Sequence, residues 1–315
     1  MLVEYVYLCY AELASFLGRH KMKILNFGSL NIDLVYSLDH IVKPGETISA
    51  DSMNKFVGGK GLNQSIALAN AGVSVYHAGC VGKDGSMLTD FMKSAGVDLS
   101  YINVVDEPTG QAIIQVDKSG ENCIVLFAGA NHALTADYVD RVLSNFNKGD
   151  YIVLQNEINN LEYIINRAAE KGMKIFLNPA PFTENIRSIG LEKIYCLIVN
   201  EIEAEGLSGE NGTEGFKRFL SESYPELRAV ITLGKKGSVY LCGDSVLTQT
   251  AFPAKAVDTT AAGDTFVGFF IAEISRGKSP EEALKTASLA SSITVSRQGA
   301  APSIPKLSEV LDPKP

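Results

Sequence analysis

The sequence predicts a three-layer α/β/α fold with a mostly parallel central sheet and a second, smaller β-sheet. Short apolar runs, most of them rich in β-branched or aromatic residues, alternate along the chain with amphipathic helical patterns. This alternation is typical of parallel sheets that helices cover on both faces. Two segments interrupt the alternation, and we expect them to build the smaller sheet.

Six apolar runs are predicted to be strands of the central sheet, and four amphipathic stretches are predicted to be helices. The strands are expected at 23–28, 74–80, 151–155, 173–178, 195–200 and 229–234, and the helices at 61–72, 138–146, 161–172 and 213–224. Two more helices are predicted at Gly263–Arg276 and Pro280–Ser296, because Gly277 suits a helix end and Pro280 a helix start. Ligands of such sheets bind beyond the carboxyl ends of the strands.

The two segments that interrupt the alternation are Asn31–Val57 and Thr109–Phe127. The first mixes polar and apolar residues around Pro44-Gly45, and the second reads as two strands around a turn at 118–120. Both segments border Gly-rich or polar motifs. A small sheet built from about residues 31–57 and 107–128 is therefore expected to cover a ligand as a lid.

Composition excludes several classes of protein. Of 315 residues, 28 are Lys or Arg and 36 are Asp or Glu, so the net charge of −8 argues against a nucleic-acid surface. Hydrophobic residues make up 46% and charged residues 20%, as in a folded globular protein. The chain has five widely spaced cysteines and no CxxC pair, which argues against a disulfide framework and against a zinc site. This cysteine pattern fits a protein of the reducing cytoplasm.

The first 21 residues differ from the rest of the chain. Met1–Lys21 is largely apolar but is interrupted by Glu4 and Glu12, and it lacks the basic start and small-residue cleavage site of a signal peptide. It is also too short and too highly charged for a transmembrane helix, so no membrane partner is expected. We interpret it as an extension of unknown role before a domain at 22–315, with a membrane or partner anchor as the alternative.

The most informative motif is Ala256–Phe270. Small residues at Ala261, Ala262 and Gly263 precede Asp264 and an apolar helix. Small residues allow a ligand to approach the backbone, and the free N–H groups at a helix start favour an anion. This pattern suits a transferring phosphate, with Asp264 accepting a proton from the attacking hydroxyl. The alternative is that Asp264 only caps the helix.

A glycine-rich motif lies at Phe56–Gly72. Glycines at 58, 59 and 61 bracket Lys60 before a helix, without the pattern of a Walker A loop or a dinucleotide fingerprint. Lys60 and Asn63 are candidates to donate hydrogen bonds to a polyol. A glycine-rich turn with a solvated lysine is the alternative.

Polar residues also follow several predicted strands. Asn31 and Asp33 lie two residues apart in an extended stretch, so both side chains project the same way and suit vicinal hydroxyls, unless they form a polar turn. Further polar or glycine positions at strand ends are Glu157, Asn200, Glu203, Thr232, Gly234 and Gly237. Their shared location at one edge of a parallel sheet makes them candidates for the same site.

Together these motifs resemble the ribokinase / phosphofructokinase-B family of sugar kinases. GGKGLNQ is similar to the N-terminal signature of that family, and DTTAAGDTF to its C-terminal signature DTxGAGD, with Ala261 in place of the commoner glycine. GSLNID, KPGET, FAGANHALT, LNPAP, VNEIEAE, TLGKKG and SRQGAAPSIP follow in family order between Ile24 and Pro305. Only Met1–Lys21 is left without a counterpart.

The resemblance implies a ribokinase-like fold and a role for each motif. The implied sugar ligands are Asn31, Asp33, Gly59, Lys60, Asn63, Glu157 and Asp264. Asp264 is implied to be the catalytic base, beside an anion hole of backbone N–H groups at Ala261, Ala262 and Gly263. The implied ATP and Mg²⁺ site comprises Asn200, Glu203, Thr232, Gly234, Gly237, Ala262, Gly263 and Ser288, the last standing where members often carry an adenine-side Asn.

The same resemblance implies a potassium site and an activity. The residues at potassium positions are Asp258, Thr260, Thr294, Arg297, Gly299 and Ser303, several acting through backbone carbonyls, and oxygen ligands suit a hard cation. The implied reaction is ATP-dependent phosphorylation of D-ribose at its 5-hydroxyl by a cytoplasmic homodimer that pairs through its lid. Alternatives are a family kinase for another sugar or nucleoside, such as deoxyribose, and a sugar-binding regulator without turnover.

Overall fold

The computed structural model describes residues 22–312, so the predicted extension Met1–Lys21 lies outside the described residues. The strands are β1 Ile24–Phe27, β2 Asn31–Ser37, β3 Ser52–Gly58, β4 Val75–Val81, β5 Asp98–Val104, β6 Gly110–Val116, β7 Asn122–Phe127, β8 Tyr151–Gln155, β9 Lys174–Asn178, β10 Cys196–Asn200, β11 Arg228–Thr232, β12 Ser238–Cys242 and β13 Ser245–Gln249. The α-helices are α1 Lys60–Asn70, α2 Ser86–Ser94, α3 Ala136–Leu143, α4 Leu161–Glu170, α5 Glu201–Ser208, α6 Gly212–Ser223, α7 Ala262–Ser275, α8 Pro280–Val295 and α9 Leu307–Leu311.

The central sheet has nine strands in the order β13-β12-β11-β10-β9-β8-β1-β4-β5. From β11 to β5 every neighbouring pair is parallel, whereas β12 and β13 add an antiparallel hairpin at one edge. All six predicted strands belong to the parallel part, which confirms the predicted fold class. Strands β5, β12 and β13 and the short helices α2, α5 and α9 were not predicted from the sequence.

Two apolar cores lie on opposite faces of the central sheet. Successive side chains of a strand point to opposite faces, so Ile24 packs in one core and Leu25 in the other. The first core joins α1, α2, α7 and α8 to the sheet, and the second joins α3, α4, α5 and α6. This arrangement is the predicted three-layer sandwich. Between residues 22 and 312, no helix combines the length and the apolar character that crossing a membrane would need.

The two interrupting segments form a separate four-stranded sheet in the order β3-β2-β6-β7. Strand β2 pairs antiparallel with β3 and parallel with β6, and β7 closes the sheet as an antiparallel edge. Both predicted strands of the second segment are confirmed, and the first segment also supplies two strands. Because β2 begins shortly after β1 ends, this small sheet starts at the carboxyl edge of the central sheet.

Helices α1 and α7 pack unusually close together on one face of the sheet. A Cβ atom at Gly268 of α7 would lie 2.3 Å from the Cβ of Ala67 and 2.9 Å from two backbone atoms of α1. Both helices begin at the edge where the parallel strands end. The glycine therefore fixes how closely the first turns of α1 and α7 approach each other.

This contact generates a prediction for Gly268→Ala. Helix propensity alone would stabilise the alanine variant by up to about 1 kcal/mol, but overpacking should reverse that gain and lower the free energy of unfolding by about 1–3 kcal/mol. Urea denaturation measures the difference. Adding Ala67→Gly removes the Cβ–Cβ overlap and should recover part of the loss, whereas a single variant as stable as wild type would contradict the contact.

Candidate active site

The first turn of α7 carries the motif with the strongest predicted chemistry. Ala261 precedes the helix in the left-handed conformation, with φ of 60°, which explains why glycine is common at this position in the family signature. Ala262 and Gly263 open the helix, where the first N–H groups have no intrahelical acceptor, although the Ala262 N–H makes a long 3.3 Å bond to the Thr259 carbonyl. Asp264 is not the N-cap, so the capping alternative is wrong.

The Asp264 carboxylate instead faces α1. Its Oδ2 accepts a 3.0 Å hydrogen bond from Asn63 Nδ2, and its Oδ1 accepts another of 3.0 Å from Gln64 Nε2. Asp264 is only 7% exposed and Asn63 only 6%. The buried Oδ1 of Asn63 has no partner within the described chain. One N–H of the Asn63 amide serves Asp264, its second N–H can still make the expected donation to a polyol, and the free Oδ1 can accept from a ligand hydroxyl.

The glycine-rich turn before α1 brings the small sheet next to this carboxylate. Gly59 has φ of 94°, and a Cβ there would lie 2.9 Å from the backbone nitrogen of Asn31. A Cβ at Gly58 would lie 2.1 Å from the carboxylate of Asp33. Both glycines are therefore required for close packing, and the turn is more than a solvated loop. Lys60 follows directly as the first residue of α1.

Asn31 and Asp33 both lie in β2, as the predicted extended stretch requires. The side chain of Asn31 is held by Asn131, whose Nδ2 donates to Asn31 Oδ1 at 2.7 Å. Asn131 also accepts from the backbone N–H of Leu30 at 2.9 Å. Sequence reasoning did not single out Asn131, although it lies in the quoted motif FAGANHALT.

Glu157 follows β8 and reaches the glycine-rich turn. Its Oε2 accepts a 3.1 Å bond from the Lys60 backbone N–H and a second bond from the Ser29 hydroxyl. Burial raises the pKa of Glu157, and Lys60, the Ser29 hydroxyl and the Lys60 backbone N–H act in the opposite direction. Ser29 was not predicted to belong to the site.

Lys60 is the cationic side chain among these carboxylates. Burial alone would lower its pKa, but the nearby Asp264, Glu157 and Glu203 together raise it. For Asp33, burial and then the charge of Glu157 raise the pKa to about 7. The site thus holds more potential negative charge than one lysine balances, and it suits ligands that bring hydroxyl donors or a cation.

Asn200 and Glu203 form a reciprocal cap at the start of α5. Asn200 Oδ1 accepts from the Glu203 backbone N–H at 2.8 Å, while Glu203 Oε2 accepts from the Asn200 backbone N–H at 3.0 Å. Burial raises the pKa of Glu203, against the opposing effect of this backbone hydrogen bond. Both residues line a polar cavity of about 210 Å³ that also contains Lys60 and Asp264. Carboxylate and amide oxygens in a phosphate-sized space suit Mg²⁺ and its waters.

A larger cavity of about 560 Å³ lies between the end of β11, the segment 251–256, α7 and α8, and its size is typical of small-molecule sites. Its lining includes the predicted Thr232, Gly234, Gly237 and Ser288. It also includes residues that were not predicted from the sequence, among them Phe252, Pro253 and Ser291. Ser288 therefore lines the same cavity as other residues of the expected nucleotide site.

The two cavities meet at the first turn of α7. Thr232, Thr259 and Gly263 line both of them, and Gly263 has no atom within 4 Å of the place a Cβ would occupy. A ligand that fills the large cavity can extend past Gly263 towards Asp264. The arrangement is therefore one cleft with an apolar end, an anion-binding helix start and a polar end.

The residues of the predicted potassium site lie in two adjoining loops. Asp258 Oδ1 accepts from the Thr260 backbone N–H, and its Oδ2 accepts from the Gly299 backbone N–H, both at 2.9 Å. Asp258 thus stabilises its own turn and also joins the second loop. Among residues 22–312, no three His, Cys, Asp or Glu side chains converge as metal ligands.

Three of the remaining members direct their side chains to protein groups. The Arg297 guanidinium is directed to Glu309 at 2.6 Å, and the buried Thr294 hydroxyl lies 3.0 Å from the hydroxyl of Thr265. The Ser303 hydroxyl donates to the Ala300 carbonyl at 2.7 Å. A hard monovalent cation accepts carbonyl ligands, so the donor types fit such an ion.

Comparison with known proteins places this cleft in a family. A family model described as "pfkB family carbohydrate kinase" matches residues 21–307. A ribokinase from Haemophilus influenzae is 36% identical over 295 residues, covering 90% of this chain and 96% of its own. A deoxyribokinase from Salmonella typhi is 29% identical over 306 residues, covering 91% and 97%.

A solved structure has the same fold. The ribokinase of Arabidopsis thaliana, complexed with ribose and ATP, superposes with a TM-score of 0.83 at 30% identity, covering 92% of this chain and 97% of that one. The match spans both the central and the small sheet.

Proposed function

Because this chain belongs to the pfkB family of carbohydrate kinases, we propose that it transfers the γ-phosphate of ATP to the 5-hydroxyl of D-ribose. The observation that carries the proposal is the continuous cleft in which Gly263 separates a nucleotide-sized cavity from the Asp264 carboxylate. The solved relative described with ribose and ATP has this fold at 30% identity. The 36% identity to a ribokinase, against 29% to a deoxyribokinase, favours ribose as the acceptor.

In the proposed reaction, ATP occupies the large cavity with its terminal phosphate at the start of α7. The sugar lies between Asn31, Asp33, Asn63 and Glu157, and Asn63 Oδ1 accepts a hydrogen bond from one of its hydroxyl groups. Asp264 takes the proton of the 5-hydroxyl while that oxygen attacks the γ-phosphorus and ADP leaves. Backbone N–H groups at Ala262 and Gly263 stabilise the charge on the transferring group.

Two cations complete the proposed site. Asn200 and Glu203 would hold Mg²⁺ and its waters, which neutralise charge on the phosphates of bound ATP. The loops joined by Asp258 would hold K⁺ and thereby order the loop that precedes α7.

We further propose that residues 22–315 are the sugar kinase domain and that about residues 31–57 and 107–128 form its lid. The protein would work in the cytoplasm, where the unpaired cysteines would stay reduced.

Asp264→Asn tests the proposed base. Loss of the proton acceptor should lower kcat by about a thousandfold, while ATP still binds. ADP release is measured with ribose, deoxyribose and nucleosides, each offered separately as the phosphate acceptor. Near-normal turnover of the variant would contradict the role of Asp264 as the base. A wild-type protein that prefers deoxyribose would contradict ribose as the acceptor. A wild-type protein that binds ribose without turnover would be a regulator and not a kinase.

Sugar binding should depend on pH through Asp33. The Asp33 carboxyl has a pKa of about 7 and is therefore protonated below that pH. Because ribose needs the ionised carboxylate as a hydrogen-bond acceptor, binding below pH 7 requires Asp33 to release its proton first. The Kd for ribose should therefore rise by about tenfold for each pH unit below 7 and level off above it. Calorimetry from pH 5.5 to 8.5 measures this, and Asp33→Asn should bind weakly with a flatter profile. A Kd independent of pH in wild type would contradict this role of Asp33.

The cation proposal predicts a dependence of turnover on K⁺. Replacing K⁺ by Na⁺ or a bulky ammonium ion at constant ionic strength should lower kcat several-fold, because the anion-hole donors must be in place before charge develops. Asp258→Ala should leave low activity that no longer responds to K⁺. Equal rates of wild type in K⁺ and in the bulky cation would leave Asp258 as a turn residue only.

The small sheet supports a homodimer that pairs through the lid. Ile124 and Leu126 of β7 are 52% and 53% exposed and lie on the sheet face that carries Asp33. A second copy of this face would cover them. We expect sedimentation equilibrium to show a dimer, and Ile124→Lys with Leu126→Lys to give a monomer, whereas Val246→Lys on distant β13 should not. A monomeric wild type would contradict the proposal.

A further inference from the structure

The Gln64 side chain is a buried contact of Asp264 that the proposed reaction does not use. Its Nε2 lies 3.0 Å from Asp264 Oδ1 and 3.2 Å from Asn178 Oδ1, and its Oε1 accepts from Gln155 Nε2 at 2.7 Å. Gln64 is fully buried. All the hydrogen-bonding positions of its amide N–H₂ are thus used, and one of them ends on the proposed base.

The orientation of this amide is imposed by a chain of hydrogen bonds that starts at a backbone carbonyl. The Gly61 carbonyl can only accept, so Asn26 must turn its Nδ2 towards it, at 2.8 Å. The Asn26 Oδ1 then faces Gln155, whose Nε2 donates to it at 3.0 Å. The second N–H of Gln155 consequently points at Gln64 Oε1, which leaves the Gln64 N–H₂ facing Asp264.

A second chain reaches the same result from the other side. Asn178 Nδ2 donates to the Ile198 carbonyl at 3.0 Å, so Asn178 presents its Oδ1 to Gln64. If the Gln64 amide were reversed, its oxygen would face two acceptors, on Asn178 and Asp264, and its nitrogen would face the donor of Gln155. Two backbone carbonyls, one in α1 and one in β10, therefore fix the same orientation.

From this geometry we infer that Gln64 is a positioning residue, which holds Asp264 Oδ1 so that the carboxylate meets the sugar hydroxyl, and that Gln155 orients Gln64. Asn63 alone bonds Oδ2, and one hydrogen bond leaves the carboxylate free to rotate about its Cβ–Cγ bond. Two donors on different oxygens from consecutive residues of α1 fix the plane of the carboxylate. The inference rests on the proposed role of Asp264 as base.

The test compares Gln64→Met and Gln64→Asn with wild type in steady-state kinetics. Methionine keeps the volume without the donor, and asparagine keeps the amide but is one methylene too short to reach Asp264. Both should lower kcat by about 10- to 100-fold, the contribution of one hydrogen bond to a charged group, with the KM values for ribose and ATP within about twofold. Gln155→Met should lower kcat less, because Asn178 still orients Gln64.

Ile66→Val is the matched control. Ile66 lies two residues further along α1, is also buried, and packs in the first apolar core, away from the amide chain that orients Gln64, so loss of one methyl group tests destabilisation of α1 without touching the base. Its kcat should stay within about threefold of wild type. Thermal unfolding of each variant identifies any that fail to fold, and Gln64→Asn is the variant expected to fold most like wild type.

The outcomes separate this inference from the proposed function. Folded Gln64 variants with normal kcat, or variants in which only the KM for ribose rises, would overturn the positioning role while leaving the kinase proposal intact. A loss of kcat in Ile66→Val equal to that in Gln64→Met would also overturn it. A wild-type protein that phosphorylates no sugar would instead contradict the proposed function itself.

Discussion

The contact between Asp264 and the first turn of α1 is the interaction on which the rest of the site depends. Asn63 and Gln64 reach the carboxylate from α1, and this is possible only because α1 and α7 approach closely at Gly268. The glycine-rich turn before α1 then carries Lys60 and brings Asn31 and Asp33 of the small sheet to the same place. One helix pair thus links the sugar end of the cleft to the phosphate end.

The balance of charge in the cleft explains why it suits a sugar and a nucleotide together. Glu157, Glu203 and Asp264 surround Lys60, and burial acts against ionisation of both glutamates. Hydroxyl groups of a sugar can stabilise the ionised carboxylates as donors, and a divalent cation can do the same at Glu203. The polyphosphate is accommodated at the opposite side of Gly263, where helix N–H groups favour an anion.

Much of the fold was predictable from the sequence because its signals are local. Six of the seven parallel strands and the predicted helices are apolar or amphipathic runs, and Gly277 and Pro280 mark helix ends to within one residue. Strand β12 was not predicted although its Val239–Leu241 run is apolar and buried, and the unpredicted β13 mixes polar and apolar residues at the exposed edge. The motif residues Asn63 and Asp264 were also recognised, but their hydrogen bond joins positions 201 residues apart, which no local pattern shows.

Side-chain orientation was the least predictable feature of the site. Gln64 stands in the quoted motif GGKGLNQ, yet its role depends on Gln155 and Asn178, which come from two other strands. Likewise, Asn200 and Glu203 were predicted to belong to the ATP and Mg²⁺ site, and the structure shows that the same two residues also cap α5. Asn63 was predicted as a donor to a polyol, and the structure adds that one of its N–H groups bonds Asp264 while its Oδ1 is a free acceptor.

Proton-coupled ³¹P NMR of the protein with ATP, Mg²⁺, K⁺ and D-ribose tests the central claim most directly. Transfer to the 5-hydroxyl predicts a new phosphomonoester signal, split into a triplet by the two protons of a primary carbon, that grows in step with ADP. Formation of inorganic phosphate alone, a doublet from a secondary hydroxyl, or no change in the spectrum would contradict phosphorylation of ribose at that position.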